Sequence, residues 1–300
     1  MNSKPTKRPR SLARWLISGP PLLYLVIFFV LPCLIMVLAS FRSPGDYGGL
    51  APLVDETGKL DLSFDNYARF ADDIIYAKVF LKSLGYALTT TICCLIMAYP
   101  LAMLIATSSK KYRDLLLLLV ILPFWSNFLI RVYAWMIILG PQSALSRGLN
   151  FVLGWFGIEP VTLLFSGFAV IVGLVYVHLP FMVLPLYANL EKHDPALLDA
   201  AQDLGANAWQ RFWRVTFPLS LPGVFAGAAL VFIPALGIFA VSDILGGTGG
   251  IMIGNVIKQQ LLETRDWPFG SVLSIVLTAA ALLVAGLAAW VARPRRESHA

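Results

Sequence analysis

The chain has 300 residues, 58% of them apolar and 13% charged, with a mean hydropathy of +0.75, whereas typical soluble domains carry roughly 25% charge. A water-soluble globule of this size cannot hide that much apolar surface, and the same numbers exclude intrinsic disorder, so lipid must be the solvent for most of the chain. The net charge of +6 does not point to nucleic acid, because the basic residues cluster at the ends of apolar runs instead of forming a stripe.

In chain order, residues 1–14 are a basic segment carrying Lys4, Lys7, Arg8, Arg10 and Arg14. The apolar run 15–40 follows. It is too long for a signal peptide and no A-x-A site comes after it, so it is expected to be retained as a span. Residues 41–79 form a loop rich in acid: Asp46, Asp55, Glu56, Asp61, Asp65, Asp72 and Asp73. Five further runs, 80–107, 115–140, 161–190, 219–245 and 270–291, also reach the ~20 residues that a helix needs to cross ~30 Å of hydrocarbon. Barrel strands would be about half that length and alternate in polarity, so the expected fold class is all-α, a polytopic protein with six transmembrane helices. Between spans three and four, Phe151, Val152, Leu153, Trp155 and Phe156 predict a short helix at the membrane surface. Residues 191–218 form a long polar loop and 292–300 a basic tail.

Basic residues set orientation. Segments 1–14, 108–114, 191–218 and 292–300 hold 14 Lys and Arg, against 7 in the three loops on the other side. Both termini and the 191–218 loop are therefore expected in the cytoplasm. Pro32, Pro100, Pro123, Pro180, Pro185 and Pro234 lie inside the runs; each removes a helix hydrogen bond that neighbouring helices must cover. No inverted repeat relates the halves, which weakens a secondary transporter. Cys33, Cys93 and Cys94 all sit in apolar runs, so neither a disulfide framework nor a zinc site is expected, and no metal site of any kind.

The 191–218 loop departs from the apolar pattern. Asp194 before Pro195 reads as an N-cap with proline at the first helical position. Leu197, Ala200, Ala201 and Leu204 give one apolar face. Gly205 ends the helix as a C′ glycine, and Asn207 with Gln210 can cap a second one that presents Trp209, Phe212 and Trp213 on one side. Physics alone leaves two readings open: an interfacial helix pair with its aromatics in the headgroups, or a docking element.

The residues favour docking. Asp199-Ala200-Ala201, three residues, Gly205, nine residues and Val215-Thr216-Phe217-Pro218 resemble the Glu-Ala-Ala loop of ABC importer permeases, with Asp for Glu, Val for Ile and Phe for Leu. Three further segments resemble spermidine/putrescine importer permeases: Phe124 to Tyr133 (FWSNFLIRVY), Leu179 to Tyr187 (LPFMVLPLY) and Val241 to Gly247 (VSDILGG). Ile253 to Ile257 (IGNVI) and Arg265 to Pro268 (RDWP) are similar as well. The resemblance covers about Leu16 to Trp290. It implies a type I ABC importer permease fold in a bacterial inner membrane and a coupling helix whose Asp199, Ala200, Ala201, Leu204 and Gly205 meet a separate ATPase. It also implies a second, non-identical permease subunit, two ATPase subunits that bind ATP and Mg, a periplasmic substrate-binding protein and a polyamine cargo.

This chain has no P-loop for ATP: the run Gly246-Gly247-Thr248-Gly249-Gly250 lacks the lysine. No cofactor is expected here, and a transport subunit without enzymatic activity is the reading. Four ionisable residues fall inside spans, where they are costly. Lys82 can snorkel to the interface, and His178 reads as a neutral, hydrogen-bonded bundle residue. Arg131 and Asp243 either neutralise each other or leave Asp243 to receive a cation, Arg131 then being a structural charge. A polyamine site needs carboxylates and aromatic faces, and Trp125, Tyr133, Trp135, Tyr176 and Phe239 are the nearby rings. The alternatives are a stand-alone secondary transporter or channel for a small organic cation, and a membrane enzyme. An enzyme would need a nucleophile–base or H-E-x-x-H constellation that the spans lack.

Overall fold

Apolar side chains fill every long run, and backbone groups in lipid must be satisfied within their own segment, so each run folds as helix. The computed structural model describes residues 10–54, 58 and 60–291, with side chains over 18–54, 58 and 60–288. The expected cytoplasmic N-terminus (1–14) and tail (292–300) thus lie almost wholly outside the described residues, as do Asp55 and Glu56. Fourteen α-helices are described: α1 (Arg10–Leu25), α2 (Leu31–Ser40), α3 (Asp65–Asp72), α4 (Ile74–Thr107), α5 (Lys110–Ile121), α6 (Phe128–Leu139), α7 (Ala144–Trp155), α8 (Gly167–Leu190), α9 (Pro195–Asp203), α10 (Ala208–Arg211), α11 (Phe217–Gly237), α12 (Ala240–Leu245), α13 (Ile253–Lys258) and α14 (Trp267–Val291). No strand runs among the described residues; two isolated bridges, Pro44 with Leu50 and Val54 with Leu60, pin loops. Six helical stretches are long and apolar enough to cross a membrane.

Several expected boundaries move, each for a local reason. The first span starts at Arg10 and passes through a π-helical turn, Val26–Val30, in which the Leu31 N–H reaches Val26 O. Pro32 follows directly and has no N–H to offer, so the ladder slips by one residue ahead of it. The same device recurs at Phe212–Thr216, where the Phe217 N–H reaches Phe212 O just before Pro218. The second span begins earlier than residue 80 because Asp73 caps it, accepting from the Ile75 N–H at 2.9 Å. The expected single helix 115–140 is two helices: α5 ends in a 3₁₀ turn, Leu122–Trp125, at Pro123, and Asn127 starts α6 by accepting from the Leu129 N–H at 2.8 Å. The fourth span starts at Gly167, not 161, with Ser166 as its cap. The fifth breaks at Ile238–Phe239, and the sixth begins at Trp267. Residues 151–155, expected in a short surface helix, lie in α7, which Ser143 caps.

The chain divides into two compact units. One consists of the residues up to Asp72 with Gln259–Ile275. Its loop after α2 is held by buried polar groups. Asp61 accepts from the Ser43 N–H (2.9 Å) and hydroxyl (2.7 Å) and pairs with Arg42 (3.4 Å). These donors hold the Asp61 carboxyl below the ordinary 3.8, the Ser43 backbone N–H first, then the Ser43 hydroxyl, with Arg42 adding less and burial opposing. Asn66 closes the arrangement by donating to Ser40 O and Arg42 O, and Arg69 pairs with Asp266 at 2.8 Å while stacking on Phe269.

The other unit, Asp73–Lys258 with the chain from Val276 onward, is built on α4, α8 and α11. Tyr99, Ala102, Ile105, Met182, Val183, Leu186, Val224 and Val231 form one buried cluster among them. α8 and α11 approach closely because small residues line the crossing. A Cβ on Gly227 would sit 2.7 Å from the Met182 sulfur and 3.2 Å from its carbonyl oxygen, and one on Gly223 2.7 Å from Asn189 Cβ.

Candidate functional site

The second unit carries two chemically distinct ends. At one, the 191–218 loop folds through local signals alone. Asp194 accepts from the Ala196 N–H at 3.0 Å, and Pro195 opens α9. At its far end the Gly205 N–H donates to Gln202 O (2.8 Å) and the Ala206 N–H to Ala201 O (3.0 Å). That pair of bonds is a Schellman closure. It requires a left-handed residue, and Gly205 has φ +80°. Asn207 and Gln210 then exchange both bonds of a capping box, and the Arg211 guanidinium donates to Gln202 Oε1 at 2.7 Å, tying α10 back to α9.

This closure leaves α9 protruding. Leu204 is 88% exposed; Asp199, Ala200 and Gly205 are exposed and Ala201 half-buried. The three aromatics of the second helix cluster on one side as expected, the Trp213 ring 5.6 Å from Trp209 and 5.2 Å from Phe212. Phe212 also reaches inward, its ring 5.3 Å from Tyr99, whose hydroxyl hydrogen-bonds Ser220 Oγ at 2.8 Å. Trp209 and Trp213 stay exposed. The Arg113–Glu191 ion pair joins the start of α5 to the residue that ends α8, so the loop is anchored on both flanks.

At the other end lies Asp243. α11 stops at Gly237, where Ile238 takes extended geometry (ψ 124°), and α12 restarts from Phe239. A Cβ on Gly254 would lie 2.5 Å from Gly237 O, so α13 can press against the break only as glycine. Asn255 fills the break: its Oδ1 accepts from Ser242 Oγ (2.6 Å) and the Met252 N–H (2.9 Å), and its Nδ2 donates to Phe239 O (3.3 Å). The same Nδ2 donates to Asp243 Oδ1, and Lys258 Nζ donates to Asp243 Oδ2 at 2.8 Å. Ser83, fully buried on α4, accepts from the Ile253 N–H at 2.7 Å and so fixes the start of α13. Irregular backbone within a span is tolerated only where protein or a water-filled cavity lines it, and here the Asn255 side chain lines it.

The expected Arg131–Asp243 pair is not formed. Both Asp243 oxygens are engaged by Asn255 and Lys258 on nearby α13, while Arg131 lies over the Phe124 ring (5.2 Å) and makes no ion pair among the described residues. Its Nε is buried without a hydrogen-bond partner. The 3₁₀ turn at Leu122–Trp125 explains this, since it brings Phe124 back against α6.

Of the expected rings, only Phe239 joins Asp243, with Lys258 Nζ 5.8 Å from its centroid. Trp135 and Tyr176 pack edge to face at 5.6 Å and line, with Cys93, Met97 and Phe168, an apolar groove of about 380 Å³ that offers a cation nothing beyond ring faces. Trp125 and Tyr133 are 76% and 49% exposed. His178 is buried, with Nδ1 2.8 Å from Leu174 O, and Lys82 bonds Gly249 O. Among the described residues no three His, Cys, Asp or Glu converge as metal ligands. Sequence reasoning missed Lys258, Asn255 and Ser83. The available signal for Lys258 was that it is the sole lysine of the 246–269 loop.

Comparison with known proteins accords with this architecture. Residues 98–296 match the family model described as binding-protein-dependent transport system inner membrane component. The chain is 47% identical over 257 residues to the spermidine/putrescine transport system permease protein PotB of Salmonella typhimurium (strain SL1344), covering 85% of each. It is 46% identical over 257 residues to PotB of Escherichia coli (strain K12), covering 85% of this chain and 89% of that one. Among solved structures, a chain of a bacterial alginate ABC transporter in complex with alginate pentasaccharide-bound periplasmic protein superposes with TM-score 0.71, at 19% identity and over 94% and 95% of the two chains; at that identity the likeness speaks for fold alone. With six membrane-length helices and two thirds of its length under the family model, the chain belongs to the binding-protein-dependent transport system inner membrane component family.

Proposed function

We propose that this chain is one of two permease subunits of an ATP-driven importer of polyamines in a bacterial inner membrane. The observation that carries the reading is the 47% identity to a spermidine/putrescine permease across 85% of both chains. The second permease is non-identical, two ATPase subunits hold ATP and its magnesium, and a periplasmic protein delivers the cargo. The charge asymmetry of 14 basic residues against 7 supports both termini and the 191–218 loop facing the cytoplasm.

Coupling follows from the shape of the loop. Leu204 and the small Ala200 and Ala201 seat α9 in a groove of the ATPase, with Asp199 at its rim. Gly205 and the capping box make the bend stiff, so motion of the groove moves α9 as a body. Its neighbours in sequence, α8 and α11, are locked by the glycine crossing at Gly227 and Gly223, and so they move together. Asp243 and Phe239, at the opposite end of the fifth span, supply a carboxylate and a ring face, the pair of groups that an alkylammonium prefers. Net movement needs only that the two states differ in affinity for the cation.

The test is uptake. Proteoliposomes holding the whole complex, loaded with ATP and given binding protein with radiolabelled spermidine or putrescine, accumulate label in an ATP-dependent way. Accumulation equal to that of liposomes without this chain would refute the reading.

A further inference from the structure

We propose that Lys258 is a tethered stand-in for the cargo, holding the Asp243 site until an incoming ammonium displaces it. The inference rests on the polyamine reading above and concerns how that site is kept and opened. Lys258 Nζ lies 2.8 Å from Asp243 Oδ2 and 5.8 Å from the Phe239 ring centroid. One ammonium is thus held between a carboxylate and an aromatic face, the composition of an alkylammonium receptor. The lysine side chain is itself four methylenes ending in an ammonium, chemically a diaminobutane that lacks one of its two ammonium groups.

Two further features make this a site for exchange instead of a fixed structural pair. The side chains of Lys258 and Asp243 are 31% and 33% exposed, and ion pairs that open to solvent are weakly held. The receptor also does not depend on Lys258 for its shape. Asn255 holds Asp243 Oδ1 and is itself fixed by Ser242 Oγ, the Met252 N–H and Phe239 O. Removing the lysine ammonium leaves carboxylate, ring and amide in place, so a polyamine finds a preorganised site. A monovalent metal ion gains no ring-and-methylene contact there and competes poorly, which keeps the pathway closed to it.

An internal competitor lowers apparent affinity by the fraction of sites it leaves free. The experiment is a binding titration of putrescine, and separately of n-butylammonium, on the complete permease–ATPase complex in nanodiscs without binding protein. Lys258→Met binds putrescine about tenfold tighter than wild type, Lys258→Arg does not, and Asp243→Asn added to Lys258→Met removes the gain. Lys258→Gln is read in its place if the Met variant does not co-purify with the ATPase. If the wild-type complex imports polyamine and neither neutral variant binds more tightly, the exchange is wrong while the transport reading stands. If the complex imports no polyamine yet Lys258→Met gains affinity for n-butylammonium, the cargo assignment fails and the exchange stands. Loss of both overturns both.

Discussion

The two ends of the second unit are built by opposite means. Within the 191–218 loop the closing bonds join residues at most nine apart, such as Arg211 with Gln202 and Asn207 with Gln210, and only its flanks are tied to the bundle, by Arg113–Glu191 and Tyr99–Phe212. The Asp243 end is held by bonds that leap between elements, Ser83 to Ile253 and Asn255 to Phe239 and Asp243. Local closure yields a rigid knob that any partner can push. Tertiary closure yields a site whose geometry depends on how α4, α11, α12 and α13 meet, and so one that helix movement can remake. On the proposed function, force enters at the first and cargo is handled at the second.

Four experiments would break or sharpen that contrast. The largest effect is expected from Leu204→Asp, which puts a charge where the exposed leucine docks. Uptake falls to background and the ATPase no longer co-purifies, since a buried unpaired charge costs several kcal/mol; a variant that retains both would mean α9 is not the contact. Asp243→Asn comes next, with uptake reduced about tenfold, the worth of ~1.4 kcal/mol, while co-purification is unchanged. Loss of co-purification there would tie the two ends together structurally. Gly205→Val forces a β-branched residue to φ +80°, costing about 1–2 kcal/mol; ATPase affinity falls several-fold in a pull-down titration, whereas Gly205→Asn, tolerant of that region, is close to wild type.

The smallest effect belongs to the first unit and tests local polar closure against pH. Because the folded carboxyl of Asp61 sits below 3.8, its contribution is complete above 3.8 and is lost as pH falls through the lower folded value. The protection factor of the Ser43 amide, its intrinsic exchange rate divided by the observed one, falls as pH is lowered from about 5 to about 2. In Asp61→Asn that pH-dependent fall disappears.

Much of the contrast was legible in advance, and the unreadable parts share a cause. Asp194-Pro195, Gly205 and the Asn207–Gln210 spacing announce their bonds because each cap is satisfied within four residues. Phe212 joins Trp209 and Trp213 as expected, but its second contact, with Tyr99, joins distant residues and the apolar pattern does not record it. For Arg131 and Asp243 two readings stood open, mutual pairing or an Asp243 left to receive a cation. The pairing failed because Pro123 and Asn127 re-aim one helix while Gly237 and Gly254 let α13 carry a nearer lysine to the carboxylate. Trp135 and Tyr176 were named as rings near the charged pair, and only packing could place them on an apolar groove.

By itself, then, the sequence determined that the chain is a six-span helical membrane protein with one long polar loop folded as two capped helices, because apolar run length, charge placement and caps act within a few residues or through the bilayer as solvent. Which charge meets Asp243, where the fifth span breaks and which ring faces a cation were decided by the tertiary structure alone. Those contacts join residues far apart in the chain, and a helix rotated by one residue would pair them differently.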